Sequence, residues 1–184
     1  MDSVLTKFPC PVVSIIGHKN MGKTTLMQGL ISHWTQRGLR VGALKHTHHG
    51  FQMDRDDTDS RKFQRAGAIA VGVVGPTKVA YIEQLEKSWE AEDILNRYFQ
   101  GCQLDFLLLE GFKSRAFPKI EVYRPEATTE PPLALPGTLA LVTTAVDSPA
   151  LEGIECEILP FEPVKAAKFI EKAKEMGKIY RINA

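Results

Sequence analysis

A glycine-rich segment between an apolar run and a helical pattern constrains this chain more than any other feature. The segment reads Gly-His-Lys-Asn-Met-Gly-Lys-Thr over residues 17–24, and it follows the apolar run at residues 12–16. Leu26, Leu30 and Trp34 then recur at helical spacing. A strand, a glycine loop and a helix in this order form the context of a Walker A phosphate-binding motif. The alternative interpretation is a tight glycine turn between a core strand and a surface helix.

The residue types in this segment suit a polyphosphate. Glycines let the backbone turn its N–H groups toward one anion, and the following helix presents the positive end of its dipole to the same place. Lys23 supplies a charge for the outer phosphates, and the Thr24 hydroxyl is a ligand for Mg²⁺. We therefore predict that the nucleotide-binding residues are Gly17, His18, Lys19, Asn20, Met21, Gly22, Lys23, Thr24 and Thr25.

An acidic residue at the end of a second apolar run predicts where the metal binds. Residues 104–109 are apolar except for Asp105, and the run ends at Glu110. The terminal acid of a Walker B strand reaches Mg²⁺ or its water shell beside the phosphates. We predict Thr24 and Glu110 as metal ligands, and Lys23 and Glu110 as the residues that carry any catalysis. The alternative for Glu110 is a strand-end carboxylate paired with a surface lysine.

Four aspartates, at positions 54, 56, 57 and 59, lie just before or at the start of a predicted helix over residues 58–65. In phosphate-loop proteins this region often carries a switch segment that senses the terminal phosphate. On that interpretation Asp54 lies at the metal and Asp59 near the substrate. The alternative is that the aspartates only cap the helix and complement its dipole.

Cationic residues follow two of the predicted strands. Lys45, His46 and His48 come after the strand predicted at residues 39–44, and Lys113 comes soon after Glu110. We predict that they contact an anionic substrate or a partner, the alternative for each being a solvated loop. A zinc site at the histidines is disfavoured, because no cysteine or fourth ligand lies at a zinc-like spacing.

Composition excludes several classes of function. The chain has 184 residues, 43% of them apolar, with 23 Lys and Arg against 22 Asp and Glu. We expect one domain over residues 1–184, and the near-neutral charge argues against nucleic acid or a membrane surface as partner. Three scattered cysteines and an N-terminus without a secretory signal predict a reduced, cytoplasmic protein.

Strands that alternate with helices predict the α/β class, with a mainly parallel sheet covered by helices on both faces, as in P-loop NTPases. Ligands of such sheets bind at the carboxyl ends of the strands. Residues 68–82 predict a β-hairpin around Gly75 and Pro76. Residues 118–123 alternate polar and apolar types, which predicts a half-buried edge strand open to pairing.

The motifs, taken in order, resemble those of the molybdopterin-guanine dinucleotide biosynthesis protein B (MobB) family. The resemblance covers residues 11–145 and rests on these residues: Gly17, Gly22-Lys23-Thr24-Thr25-Leu26, Lys45-His46, His48-His49, Asp54, Asp59-Ser60, Ala66-Gly67-Ala68, Glu110-Gly111-Phe112-Lys113 and Pro118-Lys119-Ile120-Glu121.

The resemblance implies a cytoplasmic protein that binds GTP with Mg²⁺ and hydrolyses GTP slowly. It implies an adapter role beside the guanylyltransferase that joins GMP to molybdopterin, and a homodimer with residues 118–137 at the interface. The motifs alone do not identify the base, because Asn-Lys-x-Asp is absent and Asp147 is only the nearest candidate for a base contact. Two alternatives stay open: an ATP-dependent kinase or ligase similar to dethiobiotin synthetase, and a module that holds an anion without hydrolysis.

Overall fold

The computed structural model describes residues 10–47 and 50–179. The elements of regular structure, in chain order, are β1 (Val12–Ile16), α1 (Lys23–Thr35), β2 (Val41–Lys45), α2 (Asp59–Arg65), β3 (Ala70–Val74), β4 (Val79–Glu83), α3 (Ala91–Tyr98), β5 (Phe106–Glu110), β6 (Lys119–Tyr123), β7 (Thr138–Thr143), β8 (Glu157–Pro160) and α4 (Pro163–Glu175).

Six of these strands form one parallel sheet in the order β2-β5-β1-β6-β7-β8. From β1 the chain first forms β2, and β5 later takes the position between these two strands. From β5 the chain crosses to the opposite side of β1, where β6, β7 and β8 follow in order. In open α/β sheets, ligands bind at the carboxyl ends of the strands where this reversal occurs. The topology therefore places the candidate site at the ends of β1 and β5.

Helices cover both faces of the sheet, as the sequence predicts. On one face Val13 and Ile15 of β1 pack in a core with α1 and α4. On the other face Val12 packs in a second core with Ala91 and Leu95 of α3. Successive side chains of a strand point to opposite faces, so β1 and β5 each contribute to both cores. The predicted mainly parallel α/β fold is confirmed.

Trp34 fixes the first helix against the sheet and against the last helix. Its ring stacks on Phe106 of β5 with centroids 4.2 Å apart, and its Nε1 donates to the Glu171 carboxylate of α4 at 2.7 Å. The indole is fully buried and its single donor is satisfied, as a buried tryptophan requires.

Residues 47–90 form a compact unit separate from the one that contains the six-stranded sheet. This second unit holds α2 and an antiparallel pair, β3 and β4, in which Val74 lies opposite Val79. The predicted hairpin is confirmed. That residues 1–184 behave as one domain stays a prediction.

The prediction of a half-buried edge strand at residues 118–123 is wrong. Strand β6 lies between β1 and β7, and all five of its residues are buried. Lys119 and Glu121 are buried as well, because they face a covering loop instead of solvent. Residues 118–137 are therefore an internal strand and its covering loop, and the edges of the described sheet are β2 and β8.

None of the helices in the described part of the chain is both long and apolar enough to cross a membrane.

Candidate functional site

The glycine loop, residues 17–25, leaves β1 and turns directly into α1. Gly17 and Gly22 have φ values of 141° and 88°, which other residues rarely adopt. A Cβ at Gly17 would lie 2.3 Å from the carbonyl oxygen of Val122, and one at Gly22 would lie 3.1 Å from the ring of Phe161. Gly17 is therefore required on grounds of conformation and of space, and Gly22 on grounds of conformation.

Lys23 is the first residue of α1 and turns back over the loop. Its Nζ donates to the carbonyl oxygen of His18 at 2.6 Å, which closes the loop into a ring. Gly22, the N-cap residue before the helix, has no side chain to cap it, so the N–H groups of the first turn are available to a ligand. Burial lowers the pKa of Lys23; the Glu110 carboxylate opposes this shift, and Lys113 and Lys45 add to it.

The side chain of Glu110, at the end of β5, contacts both the end of β2 and the start of α1. The Thr24 hydroxyl donates to Glu110 Oε2 at 3.1 Å, and Lys45 Nζ lies 3.3 Å from Glu110 Oε1. Lys45 is paired with Glu110 in the β2–β5 register, so the sheet itself sets this contact. A hydroxyl and a carboxylate oxygen this close together are a donor set that suits Mg²⁺.

The turn after β5 holds Glu110 in place. The Ser14 hydroxyl of β1 donates to the Gly111 carbonyl, and Gly111 N donates back to Ile15 O at 3.1 Å. Gly111 and Phe112 both have positive φ, at 97° and 55°. The Phe112 ring then enters the second core, so a left-handed turn and a buried ring fix the end of the strand.

The side chain of His18 contacts residues outside the glycine loop. Its Nδ1 lies 3.1 Å from the Glu130 carboxylate, and its Nε2 lies 3.0 Å from the carbonyl oxygen of Pro131. The imidazole therefore contacts the loop that follows β6, and His18 contributes to the glycine loop through its backbone.

This geometry can be compared with known proteins. Residues 12–145 match the family model described as Molybdopterin guanine dinucleotide synthesis protein B, or MobB. The chain belongs to the MobB family. It is 34% identical over 133 residues to a molybdopterin-guanine dinucleotide biosynthesis adapter protein of Haemophilus influenzae, covering 72% of this chain and 74% of the relative. It is 32% identical over 122 residues to the adapter protein of that name from Escherichia coli, covering 66% and 70%.

Solved MobB structures share the fold. The crystal structure of Bacillus subtilis MobB superposes with a TM-score of 0.65 at 25% identity, over 92% of this chain and 98% of that one. A crystal structure of molybdopterin-guanine biosynthesis protein B gives a TM-score of 0.65 at 26% identity, over 88% and 98%. The family match favours an adapter protein over the dethiobiotin synthetase-like interpretation.

The other predicted residues of this MobB family member differ in their exposure. Met21 is buried in the first core, so only its backbone faces the loop, whereas Lys19, Thr25 and Lys113 are exposed. The ring of His46 packs on Phe112 with centroids 4.9 Å apart.

Asp54 and Asp59 lie in the second unit. The Asp54 carboxylate accepts a bond from the Gln64 amide at 3.4 Å, and Asp59 pairs with Lys62 at 2.8 Å. Their roles at the metal and the substrate stay predictions. His48 lies outside the described residues, and within residues 10–47 and 50–179 no group of three His, Cys, Asp or Glu side chains is arranged to hold a metal.

Sequence reasoning missed the contribution of β6. Lys119, Glu121 and Tyr123 are buried and bond to the loop that reaches His18. The signal was present in the Pro-Lys-Ile-Glu motif, since two charged residues within one strand require partners wherever the strand is internal.

The charges around Lys23 predict opposite effects of two substitutions on its pKa. Glu110→Gln removes the carboxylate that favours the ammonium and should lower the pKa of Lys23 further. Lys45→Ala removes a repelling charge and should raise it. The measurement is a pH titration of the Lys23 side chain by NMR, with Glu171→Gln as a control that leaves the value unchanged. A higher pKa in Glu110→Gln would contradict the geometry.

Proposed function

We propose that this protein is a GTP-binding adapter for the attachment of GMP to molybdopterin, with slow GTP hydrolysis. Its partners are then molybdopterin and the guanylyltransferase that carries out the transfer, in the cytoplasmic setting expected from the sequence. The observation that carries the proposal is the meeting of Lys23, Thr24 and Glu110 beside the curled glycine loop. The adapter role is supported by the names of the relatives from two bacteria.

The residues of the site have separate tasks in this proposal. The backbone N–H groups of residues 17–25 hold the β- and γ-phosphates, and the ammonium of Lys23 offsets their charge. Thr24 and Glu110 would hold Mg²⁺, directly or through water, and the bound ion would reduce repulsion among the phosphate oxygens. Lys45 pairs with Glu110 in the described chain and would have to yield part of that contact to the ion.

Slow hydrolysis is consistent with the contacts of Arg124, an arginine beside the loop. A Cβ placed on Gly22 would lie 3.9 Å from Arg124 Cδ. The Arg124 Nε donates to the Glu126 carboxylate at 2.9 Å, and Glu126 also accepts from the Thr144 hydroxyl at 2.7 Å. Arg124 is thus bonded to Glu126 in the described chain, whereas an arginine that contacts the transferring phosphoryl group is worth about 10³–10⁵ in rate.

Lys23→Ala should abolish nucleotide binding while the fold stays intact. Removing the ammonium leaves the phosphate charge without its main counter-charge, whereas the side chain contributes little to either core. Isothermal titration calorimetry with GTP and Mg²⁺ measures the effect, and circular dichroism checks the fold. Lys168→Ala, at an exposed position on α4, is the matched control.

Two results would count against the proposal. Unchanged GTP affinity in Lys23→Ala would show that the phosphates bind elsewhere. Tighter binding of ATP than of GTP by the wild-type protein would favour the kinase or ligase interpretation. Phosphate release, measured with and without the guanylyltransferase and molybdopterin, separates slow hydrolysis from a site that only holds an anion.

We further infer that the protein is a homodimer whose interface lies on the β3–β4 hairpin. Val74 and Val79 form a cross-strand pair and are 81% and 74% exposed. A two-stranded sheet is at best marginally stable alone, and its open edges favour pairing with another chain. Exposed apolar side chains also line the hairpin at Ile69, Val73 and Tyr81. The hairpin of a second copy of this protein matches this surface in length and in apolar character.

The double variant Val74→Lys and Val79→Lys should convert the dimer to a monomer. Charged side chains at an apolar interface lose solvation without gaining partners, so association weakens. Sedimentation velocity measures the mass in solution. Val164→Lys, an exposed valine on α4, is the control. The inference fails if the wild-type protein sediments as a monomer or if the double variant remains a dimer.

A further inference from the structure

The loop after β6 lies back across that strand and is held by its buried polar side chains. We call residues 128–137 the strap. Tyr123 OH donates to the Glu130 carbonyl at 3.2 Å, and Lys119 Nζ donates to the Pro136 carbonyl at 3.0 Å. The later residue of β6 bonds to the earlier residue of the strap, so the strap runs antiparallel to β6. It covers the face of β6 that a helix would otherwise cover.

Glu121 forms the central anchor of the strap. Its carboxylate accepts from Leu133 N at 2.6 Å and from Ala134 N at 3.0 Å, and the side chain is 0% exposed. Ala134 has a φ of 46°, so two successive N–H groups point to one anion in a backbone nest. A buried carboxylate is costly without hydrogen bonds, which ties Glu121 to the strap's present conformation.

The outer end of the strap contacts the glycine loop through one residue. The Glu130 carboxylate lies 3.1 Å from His18 Nδ1, and the Pro131 carbonyl oxygen lies 3.0 Å from His18 Nε2. The carbonyl of the same His18 accepts the bond from Lys23 Nζ at 2.6 Å. The side chain of His18 therefore contacts the strap, and the backbone carbonyl of His18 contacts Lys23.

We propose that Glu121, Glu130 and His18 are positioning residues that couple the strap to Lys23. The strap, anchored on β6, holds His18 so that its carbonyl directs the Lys23 ammonium into the loop. Nucleotide binding at the loop stabilises the strap in return, because a coupling between two equilibria acts equally in both directions. This rests on the proposed function, since the ligand is the nucleotide of the glycine loop.

A purely structural strap would behave differently. The contacts made by Lys119, Glu121 and Tyr123 are sufficient to cover β6, and none of them involves the glycine loop. The His18 contacts are separate from these anchors. His18→Ala therefore cuts the link and leaves the anchors, whereas Glu121→Gln weakens the central anchor and, through the loosened strap, the support of His18.

Hydrogen–deuterium exchange of the full chain tests the coupling, with GTP and Mg²⁺ as the probe. In the wild-type protein the nucleotide should slow exchange of the strap. In His18→Ala at equal saturation the strap should no longer respond, and the Kd for GTP should rise about tenfold, within the usual range of such couplings. Glu121→Gln should speed exchange of the strap before nucleotide is added and also raise the Kd.

Two further variants distinguish positioning from general damage. His18→Gln keeps a donor for the Pro131 carbonyl and should restore part of the response. Glu171→Gln, which alters a carboxylate bonded to Trp34 on α4, should leave the coupling intact. A strap that still responds to nucleotide in His18→Ala, or a Kd within twofold of wild type, would overturn the proposal.

A measurement without nucleotide keeps this inference distinct from the proposed function. The ¹⁵N signal of Lys23 Nζ reports its bond to the His18 carbonyl. It should shift in Glu121→Gln and in His18→Ala, and stay in place in Glu171→Gln. If the wild-type protein fails to bind GTP but these shifts occur, the strap still positions Lys23 and only the ligand assignment falls. If the signal is the same in all variants, the positioning role is wrong.

Discussion

The packing of Gly17 against the backbone of β6 is the constraint on which the candidate site depends. A side chain at this position would meet the Val122 carbonyl oxygen at 2.3 Å, so only glycine lets the chain turn here. The turn brings the start of α1 over the end of β1 and aims Lys23 at the His18 carbonyl. It also sets Thr24 beside Glu110, whose own position comes from the neighbouring strand. The cation and the two oxygen donors thus meet because the sheet places their strands side by side.

Strand β6 also supports the site through two buried charged residues. Lys119 and Glu121 are 3% and 0% exposed, and each bonds to backbone groups of the adjoining loops. Burial lowers the pKa of Lys119, and its Nζ donates hydrogen bonds to three carbonyl oxygens, those of Arg115, Phe117 and Pro136. Such a network specifies one loop conformation, since any other would leave buried charges unsatisfied. The loop that it specifies is the one in contact with His18.

The sequence predicted those elements whose residue patterns are typical of a single kind of structure. The glycine loop, the apolar strand that ends at Glu110 and the hairpin around Gly75 are confirmed, and so is the parallel α/β class. Strand β8 was not predicted, because its four residues from Glu157 to Pro160 carry no distinct periodicity. Residues 118–123 were assigned to an edge, because alternation of polar and apolar types does not show whether solvent or a polar loop meets the polar face.

The contacts that assemble the site were predicted only where chemistry dictates them. The Thr24 hydroxyl and the Glu110 carboxylate lie in contact, as expected of two ligands of one metal ion. The link from His18 to Glu130 joins residues 112 positions apart, and no local pattern encodes it. The contact of Lys45 with an anionic substrate or a partner stays a prediction, and its pairing with Glu110 in the described chain follows from the β2–β5 register. Long-range polar contacts of this kind depend on the register of the sheet and on loop conformation.

The most direct test of the account is a crystal structure of the wild-type protein with Mg²⁺ and a non-hydrolysable GTP analogue. The account predicts the terminal phosphates within hydrogen-bonding distance of Lys23 Nζ and the N–H groups of residues 17–25. It predicts Mg²⁺ between the Thr24 hydroxyl and the Glu110 carboxylate. Phosphates bound away from the glycine loop, or a metal without contact to Glu110 even through water, would contradict it.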